Sequence, residues 1–155
     1  MKKIYGLILL AVVAFSCGDD DPKLTVEQYL TAASNGWVYE SIIITDPSSG
    51  QEVNVLTHPD FEDVFEACSL DDATIFTTDG KYTVAANTKC DSGEPAILDT
   101  GKWSLNSDKT SLTIDSDDDD AIVLTKLSAN DTNVSGEISE FFGLPISAKV
   151  TMKKK

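Results

Sequence analysis

The sequence predicts an all-β chain, an antiparallel meander of about eight or nine short strands that closes into a barrel and is preceded by one short helix. Three observations predict it. From residue 73 onward, apolar and polar side chains alternate in runs of strand length, as strands with one covered face do. Clusters of Asn, Asp, Gly and Ser recur between these runs at hairpin spacing, too close for the crossovers that parallel strands need. A helix signal complete with cap and stop falls only near the start, around residues 25–36. Strands with one apolar face must cover it, and rolling the sheet into a barrel does so while leaving no exposed edge.

Met1, Lys2 and Lys3 followed by the apolar run 4–15 have the basic start and short hydrophobic core of a secretory signal peptide. The run is too short to span a bilayer comfortably. Ala14, Phe15, Ser16 and Cys17 resemble a bacterial lipoprotein signal box, which implies cleavage before Cys17 and acylation of its thiol, for instance by palmitate. The expected division is a signal peptide over 1–16, an acidic tether over 17–23 and a barrel domain over 24–155. Acyl chains on Cys17, at about 0.8 kcal/mol per buried methylene, would hold the mature chain at a membrane surface. Gly18, Asp19, Asp20 and Asp21 resemble the acidic export signal of surface lipoproteins in Bacteroidetes-type bacteria; by composition alone they are a solvated tether.

Thr25 followed by Gln28 is a capping-box pattern, which starts a helix over 26–33, and Asn35-Gly36 supplies its left-handed stop. Residues 37–45, dense in aromatic and β-branched side chains, predict the first strand. Ile42, Ile43 and Ile44 are apolar on both faces, as expected if the interior covers one side and the helix the other. Residues 46–50 form a turn by residue type, and 53–56 the return strand. Residues 58–67 place Phe61, Val64 and Phe65 at helical spacing after Pro59, which fits a short helix or an irregular connection. His58, the lone histidine, reads as a surface residue, because no partner makes it a base or a ligand.

Residues 73–77 and 81–86 flank Thr78, Asp79 and Gly80, a three-residue hairpin loop with glycine in the left-handed position. That loop sets Phe76 opposite Tyr82, an aromatic pair that a two-residue turn would break. Cys68 precedes the hairpin and Cys90 follows it, so a disulfide can tie the strand entrance to the strand exit. In an exported chain this outweighs a metal-binding pair or a reactive thiol, for which no further cysteine or histidine lies nearby. Ile97, Trp103 and Leu105 then share one parity, turning Trp103 inward and Lys102 toward water.

Leu112 and Ile114, Ile122 and Leu124, then Val134 and Ile138 continue the alternation, and Leu144, Ile146, Ala148, Val150 and Met152 predict the last strand. Turns fall at 106–108, 115–120, 129–131 and 142–143. The acidic turn is the one cluster able to offer calcium several oxygens, through Asp115, Asp117 and Asp119. It lacks the glycine and distal glutamate of an EF-hand loop and reads first as a solvated hairpin tip.

The net charge of −14 becomes −16 once Lys2 and Lys3 leave with the signal peptide, which argues against electrostatic nucleic-acid binding. There is no arginine, the residue best shaped to grip carboxylate or phosphate, so any ligand is expected to be neutral, apolar or cationic. With Cys17 acylated, Cys68 and Cys90 paired and one unpartnered histidine, a non-enzymatic role without a cofactor is expected.

As an ensemble, these features resemble the lipocalin-like lipoproteins of Bacteroidetes-type bacteria: the Cys17 box and acidic tether, Trp37, Cys68 with Asp71-Asp72, Phe76 with Asp79-Gly80 and Tyr82, Cys90, Gly101-Lys102-Trp103-Ser104-Leu105, and Ser111-Leu112-Thr113-Ile114. The resemblance implies a lipocalin-type (calycin) barrel with an amino-terminal helix, the Cys68–Cys90 disulfide, and a cavity for a small hydrophobic or neutral molecule. Parity makes Trp37, Tyr39, Phe76, Tyr82 and Trp103 the candidate cavity or core residues. The expected location is the bacterial outer membrane, lipid-anchored through Cys17 and exposed at the cell surface, with the periplasmic face as the alternative. Two other functions stand beside the ligand carrier: a filled barrel whose loops meet an envelope protein partner, and, with less weight, a calcium-binding surface lipoprotein.

Overall fold

The computed structural model describes residues 24–46 and 48–155; Cys17 and the segments expected as signal peptide and tether lie outside the described residues. The capping box forms as its residues dictate. The Thr25 hydroxyl accepts from the Gln28 N–H at 3.2 Å, and the Gln28 side chain accepts from the Thr25 N–H at 2.8 Å, starting helix α1 (Val26–Thr31). Gly36, at φ +84°, then turns the chain into β1 (Trp37–Thr45). A Cβ on Gly36 would stand 2.9 Å from the Thr74 carbonyl oxygen, so both the backbone angle and the crowding require glycine here.

After β1 come β2 (Glu52–Asn54), β3 (Ala73–Phe76), β4 (Lys81–Ala85), β5 (Ile97–Leu105), β6 (Leu112–Ser116), β7 (Ile122–Ala129), β8 (Asn133–Ile138) and β9 (Ala148–Lys154). Strands β3 to β9 pair antiparallel in chain order, and β1 joins β9 on one side and β3 on the other. The result is a closed eight-strand antiparallel barrel, with β2 as an extra strand laid along the last third of β1. It is consistent with a lipocalin-like fold. Phe76 pairs with Tyr82 across the loop ending in Gly80 at φ +80°, as the cross-strand argument predicts.

Strand directions give the barrel two different ends. At one, α1 and the short turns around residues 77–80, 106–111 and 130–132 gather; at the other lie the longer connections 55–72, 86–96, 117–121 and 139–147. The helix closes its end: Leu30 and Ala33 are fully buried, and the Trp37 indole N–H donates to the Leu30 carbonyl at 2.9 Å. Trp37, Phe76, Trp103, Leu112 and Val134 fill the interior near it, with Phe76 and Trp103 edge to face at 5.6 Å.

Three local expectations are corrected. The helix packs on β3 and β7 rather than over Ile43, whose outward side is only half covered. Ile97 is 48% exposed instead of inward, because β5 carries an extra residue where Val84 and Ala85 oppose Asp99 and Ile97, and that bulge breaks parity. The last strand begins at Ala148 rather than Leu144, since Pro145 has no N–H for the ladder; Leu144 pairs with Phe141 in an isolated bridge. A second bulge, between Tyr39 and Ser41, lets Tyr39, Ile42 and Ile44 all face inward although their spacing is uneven.

Candidate functional site

Above the packed half, the interior opens into a cavity of about 650 Å³ that reaches the end bearing the long connections. That volume lies within the usual range for small-molecule sites, roughly 300 to 1,000 Å³. Its wall comes from strand residues that parity turns inward, Ile42, Ile114, Leu124, Val150 and Met152 among them. Its mouth comes from loops: Phe65 from residues 55–72, Asp120 and Ala121 from the acidic turn, and Glu140, Phe141 and Phe142 from the β8–β9 connection. The surface is mainly apolar. Its polar members include the Tyr39 and Thr74 side chains inside and Asp120, Ser139 and Glu140 near the opening.

Tyr39 is the sequence-predicted residue that the structure places in this cavity. The protein surrounds it, which raises its phenol above the ordinary value by desolvation. It lines the cavity and is 39% exposed, and among the described residues its hydroxyl has no hydrogen-bond partner. Trp37, Phe76, Tyr82 and Trp103 face inward as predicted but lie in packed core outside the cavity. Tyr82 stacks over Gly101 and donates its hydroxyl to Asp99 at 2.6 Å, while Ser116 donates to the other oxygen of Asp99 at 2.8 Å. Burial first, and the bond to Asp99 second, push the Tyr82 phenol up to about 12.

Two of the mouth connections are clamped together. Cys68 and Cys90 form the expected disulfide, with Cα atoms 5.3 Å apart. Beside it, the Asp71 carboxylate accepts from the Asn87 amide, the Thr88 hydroxyl and the Thr88 backbone N–H at 2.7 to 3.1 Å, and these bonds lower its pKa. Residues 55–72, which carry Phe65, are thereby held against residues 86–96. In the acidic turn, Asp117 accepts from the Thr100 hydroxyl, and the Asp118 and Asp119 N–H groups donate to the Ser116 hydroxyl. Among the described residues, the one trio with ligand atoms within 4.8 Å of one another is Glu66, Cys68 and Cys90, whose sulfurs are spent on each other.

Sequence reasoning missed Phe65, Phe141 and Phe142. They sit in loops, where alternation carries no signal, and converge with ring centroids 4.5 Å (Phe141 to Phe142) and 5.9 Å (Phe65 to Phe142) apart. Fold and site together define a closed antiparallel barrel with a largely apolar, loop-rimmed cavity at one end. No protein-family model, characterised protein or solved structure matches the chain. No helix among the described residues is long and apolar enough to cross a membrane.

Proposed function

We propose that this protein is a non-enzymatic, lipocalin-like lipoprotein of the bacterial envelope, anchored in the outer membrane through acylated Cys17 and exposed at the cell surface. Its barrel carries a small hydrophobic or neutral molecule. The observation that supports the reading best is the cavity of about 650 Å³, whose apolar wall continues into an aromatic mouth. A barrel built only as a scaffold gains stability by filling that space, because unfilled interior forfeits packing contacts. Tyr39 offers a bound molecule a hydrogen bond inside a chamber whose other interior wall residues, Thr74 apart, are apolar.

The test is native mass spectrometry on residues 18–155 purified from a native-like host, followed by organic extraction. All described strands and the core lie within 24–155, so this form retains the whole barrel. A hydrophobic molecule co-purifying at near-unit stoichiometry is expected. A ligand-free mass in repeated preparations would refute carriage and favour contact with an envelope protein, for which Val64, Phe142 and Leu144 offer exposed apolar surface near the mouth.

A further inference from the structure

The charged residues lining the cavity are Asp120 and Glu140, both acids near the opening. Among the described residues no lysine lines it, and the chain has no arginine. An anionic head group at this mouth would meet two like charges and no cation. A cationic head group would meet two carboxylates.

The β8–β9 connection adds a second, independent observation. Phe141 and Leu144 bridge across the two-residue turn Phe142-Gly143, whose φ angles are +52° and +70°. Both central residues are left-handed, as in the type I′ turn, where Asn, Asp or Gly at the first position is favoured. A phenylalanine there is sterically disfavoured, and this one is also 59% exposed. Folding alone would favour asparagine at that position. The retained ring lines the mouth against Phe141 and Phe65, on the same connection as Glu140, so the strain points to a role outside stability. An aromatic face beside carboxylates is the surface that binds ammonium head groups.

We propose that the cavity selects a cationic amphiphile, with the apolar chain in the barrel and the ammonium head held by Asp120, Glu140 and the ring of Phe142. This rests on the carrier reading and specifies its ligand class. The head needs no partner deeper than the mouth, and Tyr39 remains available to a polar group along the chain.

Residues 18–155 are titrated calorimetrically with dodecyltrimethylammonium, dodecanol and dodecanoate, each below its micellar threshold. The ammonium should bind about tenfold more tightly than the alcohol, and the carboxylate most weakly. Asp120→Asn with Glu140→Gln should bring the ammonium down to the alcohol's affinity and leave the alcohol unchanged. Phe142→Asn should weaken the ammonium about threefold while raising the thermal midpoint, a combination that a purely structural role for the ring cannot produce. Glu27→Gln with Asp131→Asn, at the opposite end of the barrel, should leave the preference intact and so separate a local site from attraction by net charge. Equal affinity for the three probes, or a preference that survives Asp120→Asn with Glu140→Gln, would overturn the selection while leaving a carrier. Failure of all three to bind would overturn the carrier reading and the selection with it.

Discussion

Removing the Cys68–Cys90 bond tests how the mouth is held together. The cysteines are 22 residues apart. In the chain-entropy model, closing a loop of that length removes about 3 kcal/mol of freedom from the unfolded chain near room temperature. On the native side little should change, because Asp71 still ties the two connections through Asn87 and Thr88. The Cys68→Ala/Cys90→Ala protein should therefore lose about 3 kcal/mol, equivalent to a midpoint lower by roughly 10 °C for a domain of this size. Urea unfolding followed by tryptophan fluorescence measures it, and the slope m should rise because the uncrosslinked chain is more expanded when unfolded. A loss below about 1 kcal/mol with m unchanged would mean the bond barely restrains the unfolded chain, refuting the entropic account. A loss well above about 5 kcal/mol would show that residues 55–72 depend on the bond for their native packing.

Two further outcomes follow from the polar wall beneath the mouth. The folded protein holds the Tyr82 proton up to about 12, whereas the unfolded chain releases it near 10, so the stability Tyr82 contributes is complete below pH 10 and is lost as pH rises toward 12. Phenolate absorbance and alkaline melting curves of Tyr82→Phe against the parent should show that this part of the alkaline loss disappears; identical curves would contradict the assignment. Gly101→Ala places a Cβ 2.1 Å from the Asp115 backbone oxygen and 2.8 Å from the Tyr82 ring, which forces β5 away from β6. Thermal melting should show a cost of about 3 kcal/mol or more, and a change below about 1 kcal/mol would mean the two strands yield without loss.

What the sequence made legible was local. The Gly80 loop, the Thr25 cap and the inward Trp103 each depend on residues a few positions apart, and each stands as expected. Parity says which way a side chain faces but not how far along the barrel axis it sits. Trp37, Phe76, Tyr82 and Trp103 share inward parity with Tyr39, yet only Tyr39 of the five reaches the cavity. The half-barrel each residue occupies depends on the stagger of neighbouring strands, and the bulges near Tyr39 and Leu98 change that stagger with no compositional mark. Phe65 and Phe142 meet only because two connections fold over the same opening, a long-range event that neither segment encodes alone.

Among the described residues β1 is the first strand and β9 the last, and the two pair along nearly their whole length, whereas β1 touches β3 at the single register position Trp37 to Thr74. In a nascent chain β2 can pair the last third of β1 soon after it is made, but the rest of β1 is complete long before its partner exists. Trp37 to Ile42 must wait for residues 150–154, and loop closure over such a separation makes the final step slow. The same delay makes the carboxyl-terminal residues a condition of assembly: a chain lost before Ala148 leaves β1 and β8 as open edges, free to pair with another molecule.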